Sequence, residues 1–234
     1  MTRSAPTRPT DDHRSSRPQA PRNTAVAIDG GKHLEVKSPA GLAQRVRFFS
    51  QFVTHPGMVG AIAPSSGVLA RRMIRDLDLR HAAAVLEYGP GTGAFTGHIR
   101  AAVGASTKFV AIEFNPSLAE ALRRRFPTLR VHQRSVEDAP AICREEGIDA
   151  VDAIVSGLPW AAFPEDLQRR LLEATVKVLR PGGRMVTFGY HVGRFTSAGK
   201  RFYRILPEYF PGFQISGPIW RNIPPAFVVT CVKR

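Results

Sequence analysis

Glu87-Tyr88-Gly89-Pro90-Gly91-Thr92-Gly93 places an acid ahead of three glycines at alternate positions. Glycine serves where the backbone takes positive φ or where a ligand comes against the main chain. The helix start expected behind the loop offers free N–H groups. These residues can cradle a nucleotide or nucleoside; a glycine-rich turn with no ligand is the competing reading. The spacing E-x-G-x-G-x-G is not the dinucleotide G-x-G-x-x-G, because Ala94 and Phe95 stand where its third glycine would be needed. A second acid, Glu113, lies 24 positions after Gly89. At the end of the next strand it can accept hydrogen bonds from two ribose hydroxyls, or be an ordinary surface acid. Further on, Ser156-Gly157-Leu158-Pro159-Trp160 follows another apolar run. Trp160 there is either an aromatic wall, able to hold a cationic amine by ~0.5–2 kcal/mol of cation–π attraction, or core packing.

These residues need strands that end on one rim. Apolar runs at residues 82–86, 108–112, 129–132, 151–155 and 184–190 read as strands. Between them lie helical patterns. Phe95, Ile99 and Val103 share one face, Asn115-Pro116 opens the next helix, and another covers residues 139–146. Pro164 with Glu165 and Asp166 opens a fourth, whose stripe is Leu167, Leu171, Ala174 and Val178 and which stops at Pro181-Gly182-Gly183. A helix near residues 200–206 precedes two last strands, 213–220 and 226–232. Their connection, residues 221–225, is too short for a parallel crossover, so they pair antiparallel. The alternation implies an α/β fold with a parallel, doubly wound sheet.

Ahead of this domain, residues 1–40 form a basic Pro/Arg-rich arm, expected to be disordered. Leu42, Val46, Phe49 and Val53, widened by Phe48 and Phe52, make the stripe of an amphipathic basic helix over residues 41–57. Such a helix lies in a membrane interface or packs on the main domain, residues 58–234. Ser65 or Ser66 is an expected N-cap for a helix carrying Val68, Leu69, Met73 and Ile74.

The chain has 234 residues, 43% of them hydrophobic, enough for one such domain and a tail. Two distant cysteines, Cys143 and Cys231, suggest neither a disulfide framework nor a zinc site, so no metal is expected and a reducing compartment fits. Residues 1–22 lack the apolar core of a secretory signal, and no stretch reaches the ~20 apolar residues of a membrane span. A net charge of +14 favours a polyanionic partner, either nucleic acid or an anionic membrane surface.

The glycine loop resembles motif I of the class I S-adenosylmethionine (SAM) methyltransferases. Taken with Val59-Gly60-Ala61-Ile62-Ala63-Pro64-Ser65-Ser66, Ser156-Gly157-Leu158-Pro159, Pro181-Gly182-Gly183 and Trp220-Arg221-Asn222-Ile223-Pro224-Pro225-Ala226, in that order, residues 42–234 resemble the bacterial phospholipid N-methyltransferases. These are soluble SAM-dependent enzymes that methylate phosphatidylethanolamine at the membrane, and they are distantly similar to rRNA adenine N6-dimethyltransferases. The resemblance implies a Rossmann-like class I methyltransferase with a seven-stranded, mainly parallel sheet and an N-terminal amphipathic helix. It implies SAM as cofactor, with Glu87 ordering the methionine ammonium directly or through water. Gly89, Gly91, Gly93, Glu113 and Ser156 complete the expected cofactor set. Where related enzymes carry Gly-Asp-Ala after strand three to meet the adenine amino group, this chain has Arg134-Ser135-Val136 with Glu137 and Asp138 behind. Ser135 and Val136, or Asp138, are expected there. The resemblance also implies that residues 42–53 dock on anionic lipid and that Trp220-Arg221-Asn222 lies near a head-group pocket.

The implied reaction is attack of a neutral amine on the SAM methyl. Candidates near the acceptor are Trp160, Tyr190, His191 as proton acceptor, and Arg221 for a lipid phosphate. His191 and Arg221 can equally be a surface histidine and a turn arginine. The expected product is a methylated lipid head group, made in the cytoplasm at the inner face of the membrane. The alternative is an rRNA or other nucleic-acid adenine N6-methyltransferase. Against it, Gly157 stands where such enzymes carry a polar side chain before Leu-Pro-aromatic. A non-enzymatic SAM-binding or membrane-adaptor protein is the third reading.

Overall fold

The computed structural model describes Met1 and residues 62–190, 197–222 and 225–234. The expected helix over 41–57, the arm and His191 lie outside the described residues.

Helix α1 (Ile62–Ile74) leads to strand β1 (Ala84–Tyr88), α2 (Thr96–Ala102), β2 (Lys108–Ile112), α3 (Pro116–Arg125) and β3 (Arg130–His132). Then come α4 (Ala139–Glu145), β4 (Val151–Ser156), α5 (Glu165–Val178), β5 (Leu179–Tyr190), α6 (Ser197–Tyr209), β6 (Gln214–Ile215) and β7 (Ala226–Val232). The seven strands form one sheet in the order β3-β2-β1-β4-β5-β7-β6. The first five run parallel, and β7 enters antiparallel to both β5 and β6. This is the Rossmann-like, mainly parallel sheet with an antiparallel C-terminal pair that the sequence implies.

Strands covered on both faces read as continuous apolar runs, and all five residues of β1 are buried. Their side chains alternate between two layers. Leu86 and Tyr88 join Ile154 and Met185 under Ile142, Leu172 and Phe202 of α4, α5 and α6. Val85 joins Val155 and Val186 under Leu69, Met73 and Ile99 of α1 and α2. Local chemistry starts and stops the helices. In α3 the Asn115 side chain accepts from the backbone N–H of Ser117 and Leu118, Pro116 takes a first-turn position that needs no donor, and Arg123, Arg124 and Arg125 meet the negative end of the helix dipole.

Four expectations are corrected. Ser65 and Ser66 lie inside α1, which begins at Ile62, so neither is its N-cap. Strand β5 begins at Leu179, ahead of Pro181-Gly182-Gly183. Its register against β4 jumps there, from Val151↔Leu179 to Ala153↔Arg184, and Gly182 takes a φ of +74° while the displaced turn pairs with Lys233. Helix α6 runs past Pro207 to Tyr209, giving up the helical hydrogen bond that Pro207 has no N–H to donate. Strand β6 is two residues long, not eight. Beyond Ile215 the Ser216 hydroxyl takes the Val228 N–H at 2.9 Å, and Pro218 has no N–H to offer a ladder.

Candidate active site

Strand order reverses between β1 and β4, and in open α/β sheets the ligand crevice lies beyond the carboxyl ends of the strands at such a point. Alternation sends Glu87 to the same side as Val85. There it is fully buried, and its Oε2 accepts a 2.8 Å hydrogen bond from the hydroxyl of Thr96, the first residue of α2. Its Oε1 is buried with no hydrogen-bond partner among the described residues. Burial pushes the Glu87 carboxyl up to about 8, the Thr96 bond opposes the shift, and Glu113 adds a smaller push. A buried acid with one oxygen unmatched suits a cationic partner.

Gly89, Gly91 and Gly93 hold φ of +60°, +58° and +83°. The loop is tied to its neighbours. Gly89 N–H donates to the Ile112 carbonyl (2.9 Å), Gly91 N–H to Glu113 Oε2 (3.0 Å), and the Arg125 guanidinium to the Thr92 carbonyl (2.8 Å). A Cβ on Gly89 would come 2.7 Å from the Leu158 side chain, and one on Gly93 2.9 Å from the Phe126 ring. On Gly91 it would meet nothing within 4 Å. Packing therefore demands two of the glycines, while the third leaves a cradle open above the backbone.

Glu113 is buried at the end of β2, where its Oε1 accepts from Asn115 N–H at 2.9 Å. Burial raises its carboxyl above the ordinary value, and backbone N–H bonds from Asn115, Gly91 and Phe114 pull the other way. Three of the carboxylate's roughly four lone-pair sites are so used, which leaves one for a further donor such as a ribose hydroxyl. The cradle, the unmatched Glu87 oxygen and the remaining Glu113 lone pair together fit an adenosine that carries a cationic amino acid.

Across the crevice, Gly157 N–H donates to the Tyr88 carbonyl at 2.7 Å, and a Cβ on Gly157 would lie 2.6 Å from the Gly89 carbonyl oxygen. The Ser156 hydroxyl accepts from Leu158 N–H and from the Trp160 indole N–H (3.1 Å), which leaves its own O–H as donor. The expected aromatic wall is corrected: Trp160 is 2% exposed, stacked on Phe202 at 5.3 Å, with its carbonyl held by the buried Gln168 amide. It belongs to the floor.

Ser135 follows β3 and caps a 3₁₀ turn over Val136–Asp138, accepting from Glu137 N–H and donating to its carboxylate. Val136 is buried, and Asp138 pairs with Arg134. Tyr190 ends β5 on the same rim. It is half-buried, edge-on to Phe188, and burial raises its phenol pKa. Arg221 is exposed beside the start of β7. The structure thus places Glu87, Gly89, Gly91, Gly93, Glu113 and Ser156 at the carboxyl ends of β1, β2 and β4, Ser135 and Val136 after β3 and Tyr190 at the end of β5, with Trp160 buried beneath. Sequence reasoning gave no role to Thr96, Arg125 or Gln168. Thr96 had a readable signal, a hydroxyl opening the helix that follows the loop. The other two are contacts between elements.

The methyltransferase domain family matches residues 85–183. The chain is 34% identical over 188 residues to an ornithine lipid N-methyltransferase of Singulisphaera acidiphila, covering 79% of this chain and 93% of the relative. It is 37% identical over 94 residues to ribosomal RNA small subunit methyltransferase A of a Synechococcus strain, spanning 38% of this chain and 32% of that protein. The solved O-methyltransferase TomG of Streptomyces achromogenes, in complex with SAM, shares the fold at a TM-score of 0.57 and 21% identity, over 86% of this chain and 93% of its own. The protein is a SAM-dependent methyltransferase. The lipid relative matches along nearly its whole length, so kinship extends beyond the shared fold, and the chain belongs to the bacterial family of SAM-dependent lipid N-methyltransferases.

Proposed function

We propose that the protein transfers methyl groups to the amine of a membrane aminolipid, phosphatidylethanolamine or an ornithine lipid. The observation that carries this is the 34% identity to an ornithine lipid N-methyltransferase across 93% of that protein.

When bound, SAM supplies a methyl already activated on a sulfonium, so the protein's work is to position and desolvate. Glu87, oriented by Thr96, offers its unmatched Oε1 to the methionine ammonium. Glu113 and the Gly91 backbone take the ribose edge, while Ser135 and Val136 face the adenine side. The buried floor of Leu158 and Trp160 keeps water from below. The acceptor amine must arrive neutral. Tyr190 keeps its proton at neutral pH, so its role is to accept a hydrogen bond from the amine rather than a proton. His191 takes the proton. Arg221 receives the phosphate or carboxylate of the head group, its planar fork suiting either.

A methyltransferase for adenine in RNA draws support from the +14 charge and from the shorter match to the ribosomal RNA enzyme. The crowding at Gly157 weighs against it, since the asparagine such enzymes carry has no space for a Cβ there. Incubating the protein with labelled SAM and total bacterial lipid, beside total RNA, tests the choice. Label in an aminolipid supports the proposal; label in RNA alone overturns it.

A further inference from the structure

The crevice opens on the rim formed by the carboxyl ends of β1, β4 and β5. That rim carries a second feature. Strand β7 begins there, because Ala226 pairs with Tyr190. Just before it, Ile219 N–H donates to the Ala226 carbonyl at 2.7 Å, and Asn222 N–H closes back on the Ile219 carbonyl at 3.1 Å. Asn222 is buried. The turn between is therefore held at both ends, and it presents Trp220 at 71% exposure, the only large hydrophobic residue so exposed among the described residues apart from Met1. Arg221 is exposed beside it. Helix α6 starts on the same rim, after β5, and Lys200 in its first turn is exposed as well.

A tryptophan held out on a fixed turn beside Arg221, with Lys200 exposed in the first turn of α6, has the chemistry of a membrane interface. Its ring sits among head groups with its body in the acyl boundary, while Arg and Lys meet anionic phosphates. We propose that Trp220, with Arg221 and Lys200, is an interfacial anchor that seats the crevice mouth against an anionic lipid bilayer. The proposal rests on the aminolipid reading for its purpose and adds a second, folded contact to any made by residues 42–53. The charge of +14 makes an anionic bilayer the fitting kind of lipid surface, and the rim position places the anchor at the same end of the sheet as the crevice.

The chain has two tryptophans, and the other, Trp160, is buried. Emission changes on vesicle binding therefore report Trp220. Full-length protein is mixed with phosphatidylglycerol/phosphatidylethanolamine vesicles, with and without brominated acyl chains, and binding is followed in parallel by co-sedimentation. The expected result is a blue shift and quenching by brominated lipid, with W220A binding vesicles about tenfold more weakly at unchanged SAM affinity. W220F is expected to recover part of the binding. Vesicle binding without quenching overturns the anchor, as does absence of vesicle binding. Salt-sensitive quenching of Trp220 by RNA, with none by vesicles, assigns the turn to nucleic acid instead. Methyl transfer to detergent-dispersed aminolipid separates the two readings. If it proceeds while Trp220 stays unquenched, the anchor falls and the activity stands; if Trp220 is quenched and no lipid takes a methyl, the reverse holds.

Discussion

The Thr96 hydroxyl donates a 2.8 Å hydrogen bond to one oxygen of the buried Glu87 carboxyl, and the other oxygen has no partner among the described residues. The carboxyl lies at about 8 against an ordinary 4.5, chiefly because burial disfavours its charge. Between those values the folded protein binds more protons than the unfolded chain. Stability of the cofactor-free protein is then fully present below about 4.5 and falls as pH rises through about 8, by at most a few kcal/mol. Thermal melts across this range will show the decline, and E87Q will flatten it. A cationic ligand beside Glu87 lowers its pKa, so SAM binding near pH 7 releases a proton. Calorimetry in buffers of different ionisation enthalpy will detect the release in the wild type and not in E87Q.

Stability and ligand affinity will separate within the glycine loop. An alanine at Gly93 must hold φ near +83° and displace the Phe126 ring, a cost of about 2 kcal/mol. At Gly91 an alanine bears only backbone strain, about 1 kcal/mol, but fills the cradle. G91A is expected to melt nearer to wild type than G93A and yet bind SAM at least tenfold more weakly. Equal SAM affinity in G91A and wild type would mean that the loop is only a turn.

Glu113 clamps the glycine loop and, in the proposed site, also meets the ribose. E113A leaves the N–H groups of Gly91 and Asn115 unmatched and is expected to cost about 2 kcal/mol. E113Q keeps an acceptor oxygen and most of that stability. Both are expected to weaken SAM binding by an order of magnitude or more, measured by calorimetry on samples checked by denaturant unfolding.

Trp160 is a packing residue, and W160A is expected to lower stability by roughly 3–5 kcal/mol through the cavity it leaves against Phe202. W160F should lose less and keep most activity. A W160A protein with an unshifted urea midpoint and a raised KM for lipid would return the ring to the acceptor site.

Arg221 is exposed, so R221A should leave stability within about 0.5 kcal/mol of wild type. The proposed contact predicts a roughly tenfold higher KM for the lipid, with SAM affinity unchanged. Steady-state kinetics at saturating SAM will show it.

The sequence was most legible where one residue type answers one demand. Alternating glycines after an acid, and a second acid at the next strand end, marked a positive-φ loop and two strand termini that the structure ties together, since both leave few substitutes. The antiparallel closing pair followed from a connector too short to cross over. Less legible was whatever depends on the far side of a contact. Trp160 reads the same as wall or floor until Phe202 and Gln168, brought up by α6 and α5, enclose it. The length of β6 turned on Ser216 taking the Val228 N–H, which depends on a strand twelve positions away. Ser65 and Ser66 carried a cap's chemistry, but the helix had already begun before them.

The two margins of the sheet share a property. One is β3, three residues long, and the other is β6, two residues long, while β7, the long last strand, is enclosed between β5 and β6. Unpaired strand margins are templates on which other chains add, and hazard grows with the length of open ladder. By folding its final strand inward, the sheet of the described residues leaves only stubs for a neighbour to extend. Molecules at high local concentration would then have little strand backbone in this sheet with which to polymerise side by side.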